Sequence, residues 1–358
     1  MKRTLSLALT VAALPAAARP QIGDGEVLAP IPAEATFCAG EPGCNGGFPE
    51  GVAVVQNRVY VAGPATFGTA GKGPSVVTVL KRGNGDLVAE IPIEGENTAF
   101  EHALSGITAD DDGALYALST QLGVVRIERC GPTYTQSIYA GALPDLPVCT
   151  PAGPTPCSPT FADLPPISNE LTFDADGALY ITDSLQATIF RVAPGGGDPE
   201  VWFQSPLLAG SLAAPLPFGA NGIQLSPERD ALFVTVTFDA LDPSRGHVYR
   251  IPLEAPETME LFHTFEGGVI PDSLVFGASG RLYVSLAGAH QIAVLDPDGE
   301  EVRRITGPNG SAIPFDGPAT MAFDHARKSL LVANHAIFGD PAHFAILRVY
   351  VGEQGDRR

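Results

Sequence analysis

The sequence predicts an all-β fold, a six-bladed β-propeller with a central metal-binding channel. A hairpin unit recurs about six times along the chain, at intervals of roughly 47 to 65 residues, which is the size of one propeller blade. The chain also contains 40 Gly and 33 Pro, which suits many short strands joined by tight turns. Hydrophobic residues make up 45% and charged residues 17%, so a large core is expected.

The clearest copy of the unit runs from Ser168 to Ser184, SNELTFDADGALYITDS. LTF alternates, DADG supplies a turn, and ALYIT returns with β-branched and aromatic residues, which predicts a β-hairpin. Asn169 precedes the first strand, and Asp183 and Ser184 follow the second. The two ends of a hairpin lie side by side, so these polar residues are expected at one rim and the turn at the other.

The other five copies keep this arrangement of two strands around a turn. A single hairpin is marginally stable in water, and hairpins of this kind stack around a common axis. Their acidic turns lack the later Glu of a calcium-binding EF-hand and are interpreted as plain hairpin turns. The copies are Gly51 to Gly63, Gly106 to Thr120, Gly222 to Thr237, Ser273 to Ala287 and Thr320 to His335.

The start of the chain has the composition of a secretory signal peptide. Lys2 and Arg3 are basic, Leu5 to Leu14 is apolar, and Ala16 to Ala18 offer small residues for cleavage. The apolar run is too short to span a bilayer as a mature helix, and no other stretch reaches that length. We therefore expect a secreted or periplasmic protein that has no membrane segment after cleavage.

Four parts are predicted along the chain: a signal peptide (1–18), an N-terminal extension (19–47), the propeller (48–351) and a C-terminal tail (352–358) that frays. The stretch GEVLAPIP in the extension has two interpretations. It supplies an outer strand that closes the ring, or it is an ordered tail on the surface.

The net charge indicates which partners to exclude. Removal of residues 1–18 changes the formal charge from −19 to −21. Such an acidic surface disfavours nucleic acid and anionic membranes, and it favours cations.

The five Cys residues suit an oxidising compartment. Cys38 and Cys44 are candidates for one disulfide. Cys149 and Cys157 are candidates for another, which leaves Cys130 unpaired; alternatively, Cys130 pairs with one of those two. The sequence leaves this connectivity open.

The longest predicted insertion, residues 129–167, contains nine Pro and three Cys and leads into Asn169. Long loops inside compact domains are often functional. We interpret the insertion either as a lid over the channel mouth or as an inert cross-linked surface loop. The stretch before Asn221, PLLAGSLAAPLPFGA, predicts an apolar wall beside the same rim.

In each copy, the residue directly before the first strand is the candidate functional residue. These positions converge on the axis at one face of a closed propeller. Two carboxylates and two amides that point at one axis form a site for a hard cation. The six residues are Glu50, Ser105, Asn169, Asn221, Asp272 and Ala319.

Glu50, Asn169, Asn221 and Asp272 are therefore the predicted metal ligands. Calcium takes six to eight oxygen ligands from carboxylates, amide carbonyls and water. Four protein oxygens leave further positions for water or substrate, as in a catalytic rather than a structural site. The expected cofactor is Ca²⁺, and Zn²⁺, Mn²⁺ or Mg²⁺ are the alternatives.

These motifs resemble the senescence marker protein/gluconolactonase (regucalcin-like) family of six-bladed propellers. The resemblance spans roughly residues 48–351 and rests on PEG at Glu50, NELTFDADGALYITD at Asn169, NGIQLSP at Asn221 and PDSL at Asp272. It implies a divalent metal in the central tunnel, held by these side chains. It also implies hydrolysis of lactones or related esters.

Three features depart from the family pattern. Glu170 stands where an Asp is usual, and Ser273 where a Gly is usual. The Arg and Asn residues that bind sugar in the family are not recognisable between Glu101 and Ser105. These departures leave the metal ligands intact but oppose an aldonolactone substrate, and the apolar insertions favour a less polar one.

The expected mechanism is metal-assisted hydrolysis. Asp272 and His335 are the predicted catalytic residues. Asp272 acts as general base or as nucleophile, and Glu50 is a fixed ligand. His335 lies at the end of a second hairpin strand on the same rim, where it either shuttles protons or lies at the surface or behind the metal ligands. His102 and His290 are weaker candidates.

An alternative function is a non-catalytic, calcium-stabilised propeller that acts as a protein- or glycan-binding module. It predicts a metal-dependent melting temperature without turnover of any ester. A metal-free, strictosidine-synthase-like propeller is a third possibility, which the four oxygen donors oppose. The partner that we expect is a small-molecule lactone or ester.

Overall fold

The computed structural model describes residues 19–32 and 47–356 and consists of six four-stranded antiparallel sheets. The all-β, six-bladed fold predicted from the sequence is confirmed. The predicted signal peptide and the candidate pair Cys38 and Cys44 lie outside the described residues. No helix in the described ranges is long and apolar enough to cross a membrane.

Five blades are continuous runs of four strands, and the sixth contains the first strand of the chain, β1 (Gly25–Pro30). Blade 1 is β2 (Val52–Val55), β3 (Arg58–Gly63), β4 (Val76–Lys81) and β5 (Leu87–Pro92). Blade 2 is β6 (Leu104–Ala109), β7 (Leu115–Ser119), β8 (Gly123–Cys130) and β9 (Thr133–Ala140). Blade 3 is β10 (Ser168–Phe173), β11 (Leu179–Asp183), β12 (Thr188–Val192) and β13 (Glu200–Gln204).

Blade 4 is β14 (Ala220–Leu225), β15 (Ala231–Val236), β16 (Gly246–Pro252) and β17 (Glu260–Phe265). Blade 5 is β18 (Pro271–Phe276), β19 (Leu282–Leu286), β20 (Gln291–Leu295) and β21 (Glu301–Ile305). Blade 6 is β22 (Pro318–Asp324), β23 (Ser329–Asn334), β24 (Ala345–Tyr350) and β1. Short 3₁₀ turns cover Pro206–Leu208, Pro256–Thr258 and Pro341–His343.

The ring is closed by the N-terminal strand. β1 pairs antiparallel with β24, so GEVLAP forms the outer strand of blade 6, and this alternative from the sequence is confirmed. Glu26 of β1 forms an ion pair with the buried Arg348 of β24. The two ends of the propeller sequence therefore share one sheet.

Apolar side chains between neighbouring blades hold the ring together. The first strands of successive blades contact one another around the axis, and β22 contacts β2. One buried cluster joins Ile189 of blade 3 to Val234 of blade 4, and another joins Ile292 of blade 5 to Leu347 of blade 6. The inner strands are therefore buried on both faces, as in β15 (Ala231–Val236), whereas outer strands such as β9 (Thr133–Ala140) are largely exposed.

The acidic turns are structural, as expected. Asp174 follows β10, and its carboxylate accepts hydrogen bonds from the N–H of Ala178 (2.9 Å) and the hydroxyl of Tyr180 (3.2 Å). Asp110 of blade 2 accepts equivalent bonds from Ala114 N and Tyr116 Oη, both 2.9 Å. Each Asp thus fixes a turn with its own hairpin.

Blade 5 has no Asp in this turn, and the C-terminal tail supplies the carboxylate. Glu353 accepts hydrogen bonds from the hydroxyl of Tyr283 (2.6 Å) and the N–H of Ser279 (3.0 Å). The N–H of Ala278 bonds to Gln354 O, and that of Asp356 to Phe276 O. The expectation of a frayed tail is therefore wrong for residues 352–356, since they form hydrogen bonds with the turn of blade 5.

We expect the substitution Glu353→Ala to lower the free energy of unfolding by about 1 to 3 kcal/mol, because it leaves the hydroxyl of the buried Tyr283 without its acceptor. Thermal melting monitored by circular dichroism measures the change. Glu300→Ala, which removes an exposed carboxylate from the same blade, is the control. Equal melting temperatures for the two variants would show that the Glu353 carboxylate contributes nothing to stability.

The predicted insertion is shorter than residues 129–167, because Thr133–Ala140 forms the outer strand β9. The remainder packs beside blade 3 around the buried Gln186, whose Oε1 accepts from Leu146 N and whose Nε2 donates to Pro144 O. The disulfide joins Cys149 to Cys157, and Cys130 is free and exposed. One of the two pairings left open by the sequence is thus confirmed.

Candidate active site

The predicted site residues line one cavity at the rim where the first strand of each blade begins. Glu50, Asn169, Asn221 and Asp272 all line this cavity, together with His335, and its volume is about 490 Å³. Ser105 also lines it, whereas Ala319 is fully buried and does not. The structure therefore brings the four predicted metal ligands together.

A repeated β-bulge delivers Asn169, Asn221 and Asp272, whereas the pairing of β2 with β3 in blade 1 is regular. In blade 3, Ser168 pairs with Asp183 and Leu171 pairs with Ile181, so Asn169 and Glu170 occupy a bulge with one extra residue. The first strands of blades 2, 4, 5 and 6 have the same irregularity at the same place. A bulge redirects the side chains of a strand, which explains how one position per blade serves the channel.

Glycine follows two of the ligands because neighbouring strands approach closely there. A Cβ on Gly51 would lie 2.5 Å from Ser105 O, and one on Gly222 would lie 2.5 Å from Asp272 O. The Gly after Glu50 and the Gly after Asn221 therefore allow adjacent blades to converge tightly at the axis.

A hydroxyl group fixes the amide of Asn169. Ser184 Oγ donates its one proton to Ala220 O of the next blade (2.8 Å), so it acts as acceptor toward Asn169 at 3.0 Å. The hydrogen-bond network therefore assigns Nδ2 of Asn169 to Ser184. The Oδ1 atom is then the end of the amide that is available to a ligand.

Blade 4 repeats this arrangement. Thr237 Oγ1 donates to Pro271 O (3.2 Å) and accepts from Asn221 Nδ2 (2.9 Å). Thr237 follows β15 as Ser184 follows β11, so the two hydroxyls occupy equivalent positions. This relay was not predicted from the sequence, where its signal is a hydroxyl residue directly after the second strand in both copies.

The acidic side chains of the cavity have no Lys or Arg beside them among the described lining residues. Burial, the carboxylate of Asp272 and the carboxylate of Glu170 together raise the pKa of Glu50 well above its usual range. Asp272 is buried, with 7% of its surface exposed. A cation held between these groups would relieve their repulsion.

Glu170, which departs from the family pattern, has a structural role that was not predicted from the sequence. Its carboxylate accepts hydrogen bonds from Ile223 N of blade 4 (3.0 Å) and Ser273 Oγ of blade 5 (2.8 Å). It thereby ties three blades together beneath the cavity. Ser273, the other departure, is its partner, so the two changes form one contact across the channel.

His335 lies beside Asp272 in the lining of the cavity. Its Nε2 lies 3.6 Å from Asp272 Oδ2, and its Nδ1 accepts a hydrogen bond from Ile337 N at 2.9 Å. The ring is stacked on Phe48 with centroids 5.3 Å apart. Because Nδ1 accepts, the network assigns the proton of the neutral ring to Nε2, which points a donor at the carboxylate.

The two weaker histidine candidates differ in position. His102 lines the cavity but is 1% exposed, and its ring nitrogens lie 2.9 Å from Phe100 O and 2.8 Å from Gly73 O. His290 does not line the cavity, and its Nδ1 accepts from Gly317 N. Both histidines therefore hold loops rather than face Asp272.

The upper wall of the cavity is apolar, as the stretch before Asn221 predicted. The insertion before Asn169 contributes Ile167 to this wall, and its residues 141–166 do not line the cavity, which opposes the lid interpretation. The larger apolar side chains of the wall include Phe67, Ile167, Leu216, Phe218, Ile270 and Phe338.

A second cavity, of about 600 Å³, lies at the opposite rim beside Asp110 and Asp174. Both carboxylates are already engaged by turn N–H groups and tyrosine hydroxyls. They are therefore poor candidates for catalysis.

Within residues 19–32 and 47–356, no group of three His, Cys, Asp or Glu residues is arranged for a metal, so the candidate site depends on the amides of Asn169 and Asn221.

Comparison with protein families identifies the region that carries most of this site. Residues 168–333 match the SMP-30/Gluconolactonase/LRE-like region. The chain carries a gluconolactonase-like propeller region. Within the SMP-30/gluconolactonase match lie Asn169, Asn221 and Asp272, whereas Glu50 and His335 lie outside it.

A curated relative of the chain is the lactonase drp35 of Staphylococcus epidermidis. The two chains are 27% identical over 150 residues, which cover 39% of this chain and 42% of the relative. The match thus spans less than half the length of that lactonase.

Solved structures share the fold over most of the chain. Regucalcin from Agrobacterium tumefaciens, described as a calcium-binding protein, has a TM-score of 0.58 at 17% identity, covering 93% of this chain and 95% of that chain. A gluconolactonase from Xanthomonas campestris has a TM-score of 0.55 at 15% identity, covering 93% and 98%. Virginiamycin B lyase from Staphylococcus aureus has a TM-score of 0.52 at 15% identity, covering 85% and 94%. At these identities the likeness shows the propeller fold.

Proposed function

We propose that this protein is a secreted hydrolase of lactones or related esters that depends on a divalent metal ion, with calcium as the preferred ion. The observation that carries the proposal is the convergence of two carboxylates and two oriented amides in one apolar-walled cavity. The lactonase and gluconolactonase relatives support the reaction class, and the calcium-binding structural relative supports the ion.

The donor set fits a hard cation. Glu50 and Asp272 would supply carboxylate oxygens, and Asn169 and Asn221 would supply the Oδ1 atoms that their hydroxyl partners leave free. The raised pKa of Glu50 records negative charge that the protein alone does not balance. When bound, the ion supplies positive charge that polarises an ester carbonyl and stabilises the developing oxyanion.

Asp272 is the group that moves the proton. A carboxylate oxygen takes a proton from water while the water oxygen bonds to the carbonyl carbon, and the ring C–O bond then breaks. The proton on Asp272 is returned to the released oxygen. Direct attack by the same carboxylate is the alternative course.

The geometry of His335 supports a hydrogen-bond donor rather than a proton shuttle. Loss of the Nε2 proton would leave an anionic ring, and a proton on Nδ1 would break the bond from Ile337 N. Donation from Nε2 toward one oxygen of Asp272 would orient that carboxylate and leave its other oxygen for water.

The experiment for this proposal is metal removal. We expect a lactone panel to be hydrolysed in calcium and to lose about a hundredfold or more in kcat after chelation, with recovery when calcium is restored. The panel should also be assayed with Zn²⁺, Mn²⁺ and Mg²⁺. Turnover unchanged by the chelator would refute the metal dependence, and a calcium-dependent melting shift without any turnover would favour the non-catalytic binding module.

Secretion belongs to the same proposal. It is supported by the basic and apolar pattern of residues 1–18 and by the disulfide Cys149–Cys157, which suits an oxidising compartment. The intact mass of the exported chain measures it: loss of about 18 residues is expected, whereas a full-length mass would contradict cleavage.

A further inference from the structure

The charges that line the cavity limit the substrate. Among the described lining residues, the ionisable side chains are the acids Glu50, Glu101 and Asp272 and the histidines, with no Lys or Arg. Away from the ion, which the carboxylates of Glu50 and Asp272 would balance, an anionic substituent would find no Lys or Arg to compensate its charge. The substrate is therefore neutral around its ester.

The distribution of polar groups limits it further. Most of the surface that lines the cavity is apolar, and Asn169, Asn221 and Asp272 supply polar groups where their strands begin. Glu101 also lines the cavity, but its carboxylate is already engaged by backbone N–H groups. A hydroxyl that enters an apolar wall loses water without gaining a partner, which weakens affinity by about tenfold or more. A polyhydroxylated ring therefore fits this wall poorly.

Two phenylalanines on the wall are both exposed and held in place. Phe67 is 62% exposed and Phe338 is 69% exposed. Glu101 fixes the loop of Phe67 by accepting from Gly68 N (2.8 Å) and Thr69 N (3.0 Å).

Asp316 fixes the loop of Phe338. Its Oδ2 accepts from Asp340 N at 3.0 Å and lies 2.8 Å from His343 Nδ1. Anchored loops that hold apolar rings in water form a preformed surface for an apolar ligand, since the rings gain burial without new ordering.

We propose that the site takes neutral lactones or esters with an alkyl or aromatic substituent, and that Phe67 and Phe338 determine this specificity. The inference rests on the proposed function. The ester end lies beside Asn169, Asn221 and Asp272, and the substituent covers the two rings.

The test is a homologous series of δ-lactones with lengthening alkyl chains, with glucono-δ-lactone as the polar member. We expect kcat/KM to rise about fourfold per methylene until the wall is covered, because each buried methylene contributes that factor. Phe67→Ser and Phe338→Ser should flatten this dependence. Phe161→Ser is the matched control, because Phe161 is 65% exposed on a connection at the same face but does not line the cavity.

Binding of alkyl-substituted cyclohexanones, measured by calorimetry, separates this inference from the proposed function. These ketones carry the same chains but are not hydrolysed. Affinity that rises with chain length and depends on Phe67 and Phe338 supports the apolar specificity even if no lactone is turned over. A flat dependence on chain length, a preference for glucono-δ-lactone, or an equal effect of Phe161→Ser would overturn it.

Discussion

The substitution Asp272→Asn is expected to lower kcat for lactone hydrolysis by about a thousandfold or more, when assayed at saturating calcium. General base catalysis contributes about a hundredfold to ten-thousandfold, and an amide cannot accept the proton. The side chain is nearly isosteric, so the cavity should keep its shape. Loss of the carboxylate also removes charge from the cation site, and saturating calcium separates this effect from the loss of the base.

A matched control exists on the same blade. Asp296 lies in the turn before β21, where its Oδ1 accepts from Asp298 N and Glu300 N, both at 3.0 Å. Asp296→Asn preserves this acceptor and should leave kcat unchanged. If Asp272→Asn retained full kcat once calcium saturates the site, Asp272 would be a ligand only, and another group would have to activate the water.

The fold was predictable because its signals are local. The turn DADG, the alternation of LTF and ALYIT and the residue at Asn169 lie within one hairpin, and the hairpin recurs with blade-sized spacing. A residue at a given distance in sequence from the hairpin turn therefore lies at the same rim of the propeller in every blade. This is why Glu50, Asn169, Asn221 and Asp272 were predicted to meet, and the structure brings them together.

Contacts between distant segments were not predictable in the same way. Nothing near the turn of blade 5 indicates that Glu353 replaces its missing Asp. The strand Thr133–Ala140 was included in an insertion because its side chains are mostly exposed and lack apolar alternation. The contact between Glu170 and Ser273 joins residues that are far apart in sequence, so a single sequence shows only two unusual residues.

The other large effect concerns the stability of the metal-free protein. We expect Glu50→Gln to raise its melting temperature at neutral pH by about 2 to 5 °C while weakening the stabilisation by calcium. In the folded chain, burial, Asp272 and Glu170 raise the pKa of Glu50. The ionised form is therefore more costly folded than unfolded, and the neutral amide avoids that cost.

The difference in stability between wild type and Glu50→Gln should depend on pH in a defined direction. A carboxyl whose folded pKa is raised contributes its full stability below the unfolded pKa, near 4.5 for Glu, and loses it as pH rises through the folded value. The metal-free wild type should thus lose stability relative to Glu50→Gln above about pH 4.5, at up to about 1.4 kcal/mol per pH unit. Asp183, whose pKa burial raises to about 6, acts in the same direction but equally in both proteins.

Melting curves from pH 4 to 8, with chelator and with calcium, measure both effects. Glu228→Gln removes an exposed carboxylate at the opposite rim and serves as the control for net charge. Calcium requires ionised ligands, so its stabilisation of the wild type should grow as pH rises, opposite to the trend of the metal-free protein. A difference between wild type and Glu50→Gln that does not change with pH, or a calcium shift that survives this substitution, would place Glu50 outside the cation site.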